Sequence, residues 1–340
     1  MRQGLAVSVG GAVLVAAVLA SLAVGARPVA AVDVWGALVS FDGSPDQIAV
    51  RGLRVPRTLV GLLVGVALGV AGVVMQGLTR NPVADPGLLG VSAGAALGVV
   101  SAVTLLGVAT VAGYVWFALG GALVAATVVY AVGTSSRRSP VAALVLAGAA
   151  VSATLGSLTG SVLLLDRQTL DEYRVWAVGS LLGRDLTVAA QVAPLVVVGL
   201  GLAGASARAL DAFALGDDVA RALGRNVTMS RLVAGVTVVV LTGTAVAAAG
   251  PIAFVGLVIP HVVRPLAGPR HSGLMVCSAV YAPALVLWSD VVGRLLIRPA
   301  ELPVGIVTAV VGAPFLIWVV RRERRPSVTS SGSRGEAVAA

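Results

Sequence analysis

The sequence contains no lysine; all 24 of its basic residues are arginine. That excludes a Walker A lysine, a lysine Schiff base and a lysine general base on this chain. ATP-driven work would need the P-loop of a partner. Cysteine is almost missing too. Cys277 stands alone, so no internal disulfide and no CxxC metal or redox motif can form. The two histidines, His261 and His271, cannot by themselves build a zinc site. Charge is sparse, at 11% of 340 residues, where ordinary globular chains carry about 25%.

Apolar residues fill the space, at 58% of the chain with a mean hydropathy of +0.99. A soluble protein of this composition would expose large greasy patches, so lipid is the expected solvent. Runs of ~20 apolar residues are long enough to cross a bilayer. Ten occur, near 5–26, 58–79, 88–107, 111–132, 141–164, 187–205, 231–249, 251–268, 273–294 and 303–320. Ten spans put both termini on one side. That side receives 15 arginines and six acids, the other nine of each, giving net charges of +9 and zero. The positive-inside rule then places both termini in the cytoplasm. The basic surplus reads as a topology signal, with no nucleic-acid partner implied. Residues 1–30 resemble a secretory signal, but the apolar run is long for one and nine spans follow, so an uncleaved first helix is expected. The layout is a transmembrane domain over 1–325, with its longest cytoplasmic loop at 206–230. A polar tail over 326–340 reads as disordered.

Glycine organises the spans. Gly61, Gly65 and Gly69 follow GxxxGxxxG spacing in the second span, and Gly90, Gly94 and Gly98 repeat it in the third. Spacing of four places small residues on one helix face, where backbones can approach closely in lipid. Helix packing is the expected role, with lining of a pathway as the alternative. A weak internal echo also occurs. Ala71-Gly72 precedes Gly77-Leu78 and Pro82, as Ala249-Gly250 precedes Gly256-Leu257 and Pro260. Duplicated architectures are common in transporters.

One motif points towards an enzyme. Gly90-Val91-Ser92-Ala93-Gly94 fits GxSxG, the pattern of a serine nucleophile elbow, with His261 as a conceivable base. That chemistry needs a strand–turn–helix context, and here the motif lies in an apolar helical run. An ion-coupled secondary transporter is a stronger competitor, although such carriers usually keep ionisable residues inside the bundle. Asp290 and Arg294, four apart near the end of the ninth span, are the main candidates and could pair with each other.

The loop at 206–230 is far more charged than its surroundings. Gly216 breaks the run, Asp217 or Asp218 can cap a new helix, and Gly224 can end it. Val219 and Leu223 then lie on one face at i, i+4, which suits either a groove on a partner protein or the membrane surface.

Four ordered stretches carry a family resemblance. They are RVPRTLVGLLVGVALGVAGVVMQGLTRNPVADPGLLGVSAGAALG from Arg54, LGDDVARALG from Leu215, GPIAFVGLVIPHVVRPLAG from Gly250 and ELPVGIVTAVVGAPFLIW from Glu301. Over about residues 5–320 the chain resembles the FecCD/BtuC-like permeases, membrane subunits of ABC importers for iron–siderophore complexes, haem and cobalamin. The resemblance implies an all-α bundle of about ten transmembrane helices (the type II importer fold) in the cytoplasmic membrane. It implies a second permease subunit, the same chain or a close paralogue, and an extracytoplasmic substrate-binding protein. Two ATP-binding cassette subunits would hold ATP–Mg; no cofactor, metal or catalytic residue is expected on this chain. By the same resemblance Leu215, Gly216, Asp217, Asp218, Val219, Ala220, Arg221, Leu223 and Gly224 form the helix that couples to the ATPase. Arg54, Arg57 and Arg294 match positions that face acidic residues of the binding protein; the alternative for them is lipid-headgroup contact or local salt bridging. The expected function is inward passage of an intact metal chelate. Ion-gradient dependence would instead indicate a secondary transporter, and Ser92-dependent covalent labelling a hydrolase.

Overall fold

The computed structural model describes residues 2–25, 29–108, 110–134, 140–297 and 299–323, so the expected tail at 326–340 lies outside the described residues. Among the described residues every regular element is helical. After α1 (Arg2–Ala23) come two short helices, α2 (Ala31–Val39) and α3 (Pro45–Ala49), and a π-helical turn at Val50–Arg54 that leads into the long α4 (Val55–Thr79). A 3-10 turn at Pro86–Leu89 precedes α5 (Val91–Leu106), α6 (Val111–Thr134), α7 (Pro140–Leu165) and the polar α8 (Arg167–Ala177). The chain continues through α9 (Leu186–Ala214), α10 (Asp217–Ala222), α11 (Val227–Ala249), α12 (Val255–Ala267), α13 (His271–Leu296) and α14 (Val304–Glu323).

Each of the ten expected spans corresponds to a helix, but seven are long and apolar enough to cross a membrane. The apolar parts of the other three are shorter: Val91–Leu106, Val255–Ala267 and Val304–Val319. At 1.5 Å per residue, α5 rises about 24 Å and α12 about 20 Å, short of a hydrocarbon core of about 30 Å. The segments before both helices descend into the bundle and make up length. Asp85, Pro86, Pro251 and Gly256 line one small cavity together with Leu68, which lies midway along α4. Irregular backbone is tolerated at such depth only where protein surrounds it, and here α4 and α11 do so.

Helix α4 is the central post. Within its apolar stretch 78% of residues are buried, against 17% in α7 at the periphery. It packs on α9, α11, α12 and α13, while α5, α6 and α7 form a second group beside it. The glycine rows make these approaches possible. A Cβ on Gly65 would strike the backbone of Pro283 in α13, and one on Gly69 would strike Ala282 and the Ser278 carbonyl. Gly61 faces Leu287 and Leu181. In the second row Gly94 meets the Gly121 carbonyl and Gly98 the Phe117 carbonyl, bringing α5 against α6. Gly90 differs from its expected place on that face. Its φ is +71°, and it turns the chain from the 3-10 turn into α5, a conformation glycine reaches without steric cost.

The internal echo is not a structural repeat. Ala71 to Leu78 lies inside α4, whereas Gly250 to Phe254 is the non-helical entry to α12. The two segments instead touch: a Cβ on Gly72 would fall on the Gly256 carbonyl. Small residues at both places serve one crossing of two backbones.

Candidate functional site

At one end of the bundle, α1 stops at Ala23 and leaves the last carbonyls of its ladder without amide partners. Buried arginines supply the donors. Arg54 Nη1 donates to the carbonyls of Leu22 and Ala23 at 2.8 and 2.7 Å. Arg294 Nη1 donates to those of Ser21 and Val24, both at 2.8 Å. Cations at a helix C-terminus also oppose the negative end of its dipole. Between the arginines lies Asp290, fully buried on α13. It accepts from Arg57 Nη2 at 2.7 Å and Nε at 3.0 Å, and from Arg294 Nε at 3.0 Å. Arg57 Nη1 reaches Glu301 at 2.6 Å. The end of α1, the turn leading into α4, α13 and the Glu301 segment before α14 are thus locked by three cations and two anions.

Arg54, Arg57 and Arg294 are 8%, 9% and 1% exposed. They are thus buried, and not the solvated face expected of them. Their charges point inward because α1 and Asp290 need donors that water cannot supply there. The local pairing of Asp290 with Arg294 does occur, extended by Arg57. Nothing in the spacing of Ser21, Asp290 and Glu301 announces that they share one site.

At the opposite end of α4 lies α10, a turn and a half of helix between two left-handed glycines. Gly216 has φ +109° and occupies the N-cap, so neither Asp217 nor Asp218 caps the helix as expected. Both acids fall in the first turn instead, where they favour the positive end of the helix dipole. Gly224, at φ +74°, closes the other end, its amide and that of Arg225 returning to the carbonyls of Arg221 and Ala220. Ala220 is the buried anchor. Leu215, Val219 and Leu223 are 65%, 42% and 63% exposed, three apolar side chains left largely open at this end of the bundle. Asp218 pairs with Arg221 at 2.8 Å on the exposed surface, whereas Asp217 turns back towards the bundle.

The GxSxG motif lies at the start of α5, on a helix and not at a strand–helix elbow. Ser92 borders a cavity of about 340 Å³ with Gly156, Gly160, Tyr173 and Trp176, while the His261 ring packs edge-on against Phe315 at 5.7 Å. No group of three or more His, Cys, Asp or Glu able to hold a metal occurs among the described residues.

A buried arginine lock at one end, a glycine-bounded apolar helix at the other and a close-packed bundle between them agree with a family model that matches residues 13–322, described as the FecCD transport family. The chain belongs to the FecCD transport family. It is 42% identical over 318 residues to the ferric enterobactin transport system permease protein of Escherichia coli, covering 92% of this chain and 93% of that one. With the Fe(3+)-citrate import system permease protein of Bacillus subtilis it shares 38% identity over 304 residues, covering 89% and 90%. A solved structure described as an inward-facing conformation of a putative metal-chelate type ABC transporter superposes with a TM-score of 0.81 at 26% identity, covering 93% of this chain and 98% of that one. As a FecCD family member with seven helices among the described residues long and apolar enough to cross a bilayer, the chain is a multi-pass membrane permease.

Proposed function

We propose that this permease passes an intact ferric chelate of the siderophore class inward across the cytoplasmic membrane, with haem and cobalamin as chemically related alternatives. All ten apolar helices are taken to sit at membrane depth, with both termini cytoplasmic, in accord with the arginine excess on that side. On this reading no covalent step occurs on the chain. ATP–Mg is held by a separate ATPase, and an external binding protein delivers the chelate. The carrying observation is the exposed apolar set of Val219 and Leu223, on a helix bounded by Gly216 and Gly224, with Leu215 beside it at the end of α9. An amphipathic helix of this kind fits a hydrophobic groove on a partner.

Two further features support the reading. Helix α7, the least buried of the seven long helices, presents Ala153, Thr154 and Ser157, a small-residue face suited to a second permease subunit. The arginine lock holds the ends of α1, α4 and α13 together beneath the surface on which a binding protein would dock. Arg54, Arg57 and Arg294 would then act by positioning that surface and not by touching the partner.

The test is Leu223→Asp, which places a charge in the partner groove, a costly change unless the charge is paired. The ATPase should be lost on co-purification and uptake should stop, while external docking persists. Normal uptake with bound ATPase would put the motor contact elsewhere.

A further inference from the structure

Asp217 is the one acid of α10 that faces the bundle. Its Oδ1 pairs with Arg80, the residue that ends α4, and its Oδ2 accepts from Arg231 of α11 at 2.7 Å. The Asp217 and Arg231 side chains are partly covered, at 27% and 32% exposed, while that of Arg80 is exposed at 41%. Arg80 also holds a left-handed backbone at φ +53°, one of two such non-glycine residues among those described. A bulky residue in that region persists only where its surroundings over-determine it. Here its amide donates to the Gln76 carbonyl, closing α4, and its guanidinium is tied to Asp217.

The connection continues past Arg80. The Gln76 side chain donates to the carbonyls of Gly256 and Leu257 at 3.3 and 3.4 Å, and accepts from Arg264 Nη2 at 3.0 Å. All three partners belong to α12. Phe254, the other left-handed non-glycine residue, occupies the N-cap of that helix. Side-chain contacts therefore run from α10 to Arg80 at the end of α4, and from Gln76, one turn back on α4, to α12.

We infer that Asp217 is a positioning residue for transport: by bridging Arg80 and Arg231 it makes α10 a rigid lever on α4, α11 and, through Gln76, α12. The inference rests on α10 being the motor contact, and the experiment separates the two. In the assembled permease–ATPase complex, with Cys277→Ser to clear the native thiol, spin labels on Val262→Cys of α12 and Val132→Cys of α6 report the distance change on adding ATP with vanadate. Both sites are exposed. The parent complex should show a nucleotide-dependent shift. Asp217→Asn should lose at least half of it with the ATPase still bound, and Asp217→Glu should restore it. Arg80→Gln and Arg231→Gln should each give a partial loss, which keeps the test open if Asp217→Asn does not assemble. A full shift in Asp217→Asn, no rescue by Asp217→Glu, or no shift in the parent would overturn the inference. Leu223→Asp, run in parallel, tests the motor contact itself. If it releases the ATPase while Asp217→Asn moves normally, only the lever is wrong. If it leaves the ATPase bound and the shift intact, the reading of α10 has failed.

Discussion

Asp290→Asn removes one negative charge from among the buried arginines while keeping shape and volume. The carboxylate is fully buried and holds both Arg57 and Arg294. In the variant, Arg57 keeps Glu301 and Arg294 keeps the carbonyls of Ser21 and Val24. Neither keeps its shared anion, and the new amide presents a donor to guanidinium groups that are all donors. Removing one partner of a buried pair costs about 3–5 kcal/mol. The change is isosteric and Glu301 remains, so the low end, about 3 kcal/mol, is expected. At roughly 2–4 °C per kcal/mol for larger domains, melting should fall by about 6–12 °C. The chain carries its own reporter. Cys277 is its single thiol, fully buried on the same helix as Asp290, so a thiol-reactive dye labels it only after α13 is uncovered. The midpoint of heat-induced labelling in detergent gives the shift directly. An unchanged midpoint for Asp290→Asn would refute the argument that this carboxylate neutralises the arginines.

Gly72→Ala sets a Cβ on the Gly256 carbonyl, backbone against backbone, and should cost about 1–3 kcal/mol in the same labelling assay. Gly120→Ala on α6 meets nothing within 4 Å and should be neutral or stabilising by up to about 1 kcal/mol. Equal effects of the two would show that the crossing of α4 and α12 is looser than described. Ser92→Ala should transport as the parent does, and the parent should not react with a fluorophosphonate probe, because Ser92 lies in the first turn of a helix and the His261 ring packs edge-on against Phe315. Ser92-dependent labelling would reopen the hydrolase reading.

Composition and the length of the apolar runs pointed to lipid as the solvent and to membrane-crossing segments, while the all-α bundle of about ten helices was what the family resemblance implied. A chain with so few charges and runs of about 20 apolar residues has to satisfy its backbone internally, and helices do that segment by segment. Glycine at every fourth place marked faces of α4 and α5 for close packing, since small residues let backbones meet, while the partners α13 and α6 came from the structure. The limits of α10 were equally readable, because Gly216 and Gly224 sit where left-handed turns are needed. All of these signals are local.

What tertiary structure decided was non-local pairing. Arg57 and Asp290 are 233 residues apart in sequence, and Gln76 and Gly256 are 180 apart. Beyond the i, i+4 pair of Asp290 and Arg294, no period or spacing encodes which charge will meet which, or that arginines near helix ends turn inward to close α1. The same holds for the two short helices: 88–107 and 251–268 look like full spans by composition, yet the chain enters α5 and α12 only after descending into the bundle. Hydropathy measures how apolar a segment is. Whether that segment crosses the membrane as helix or enters it as a loop depends on the neighbours that cover its backbone, here α4 and α11.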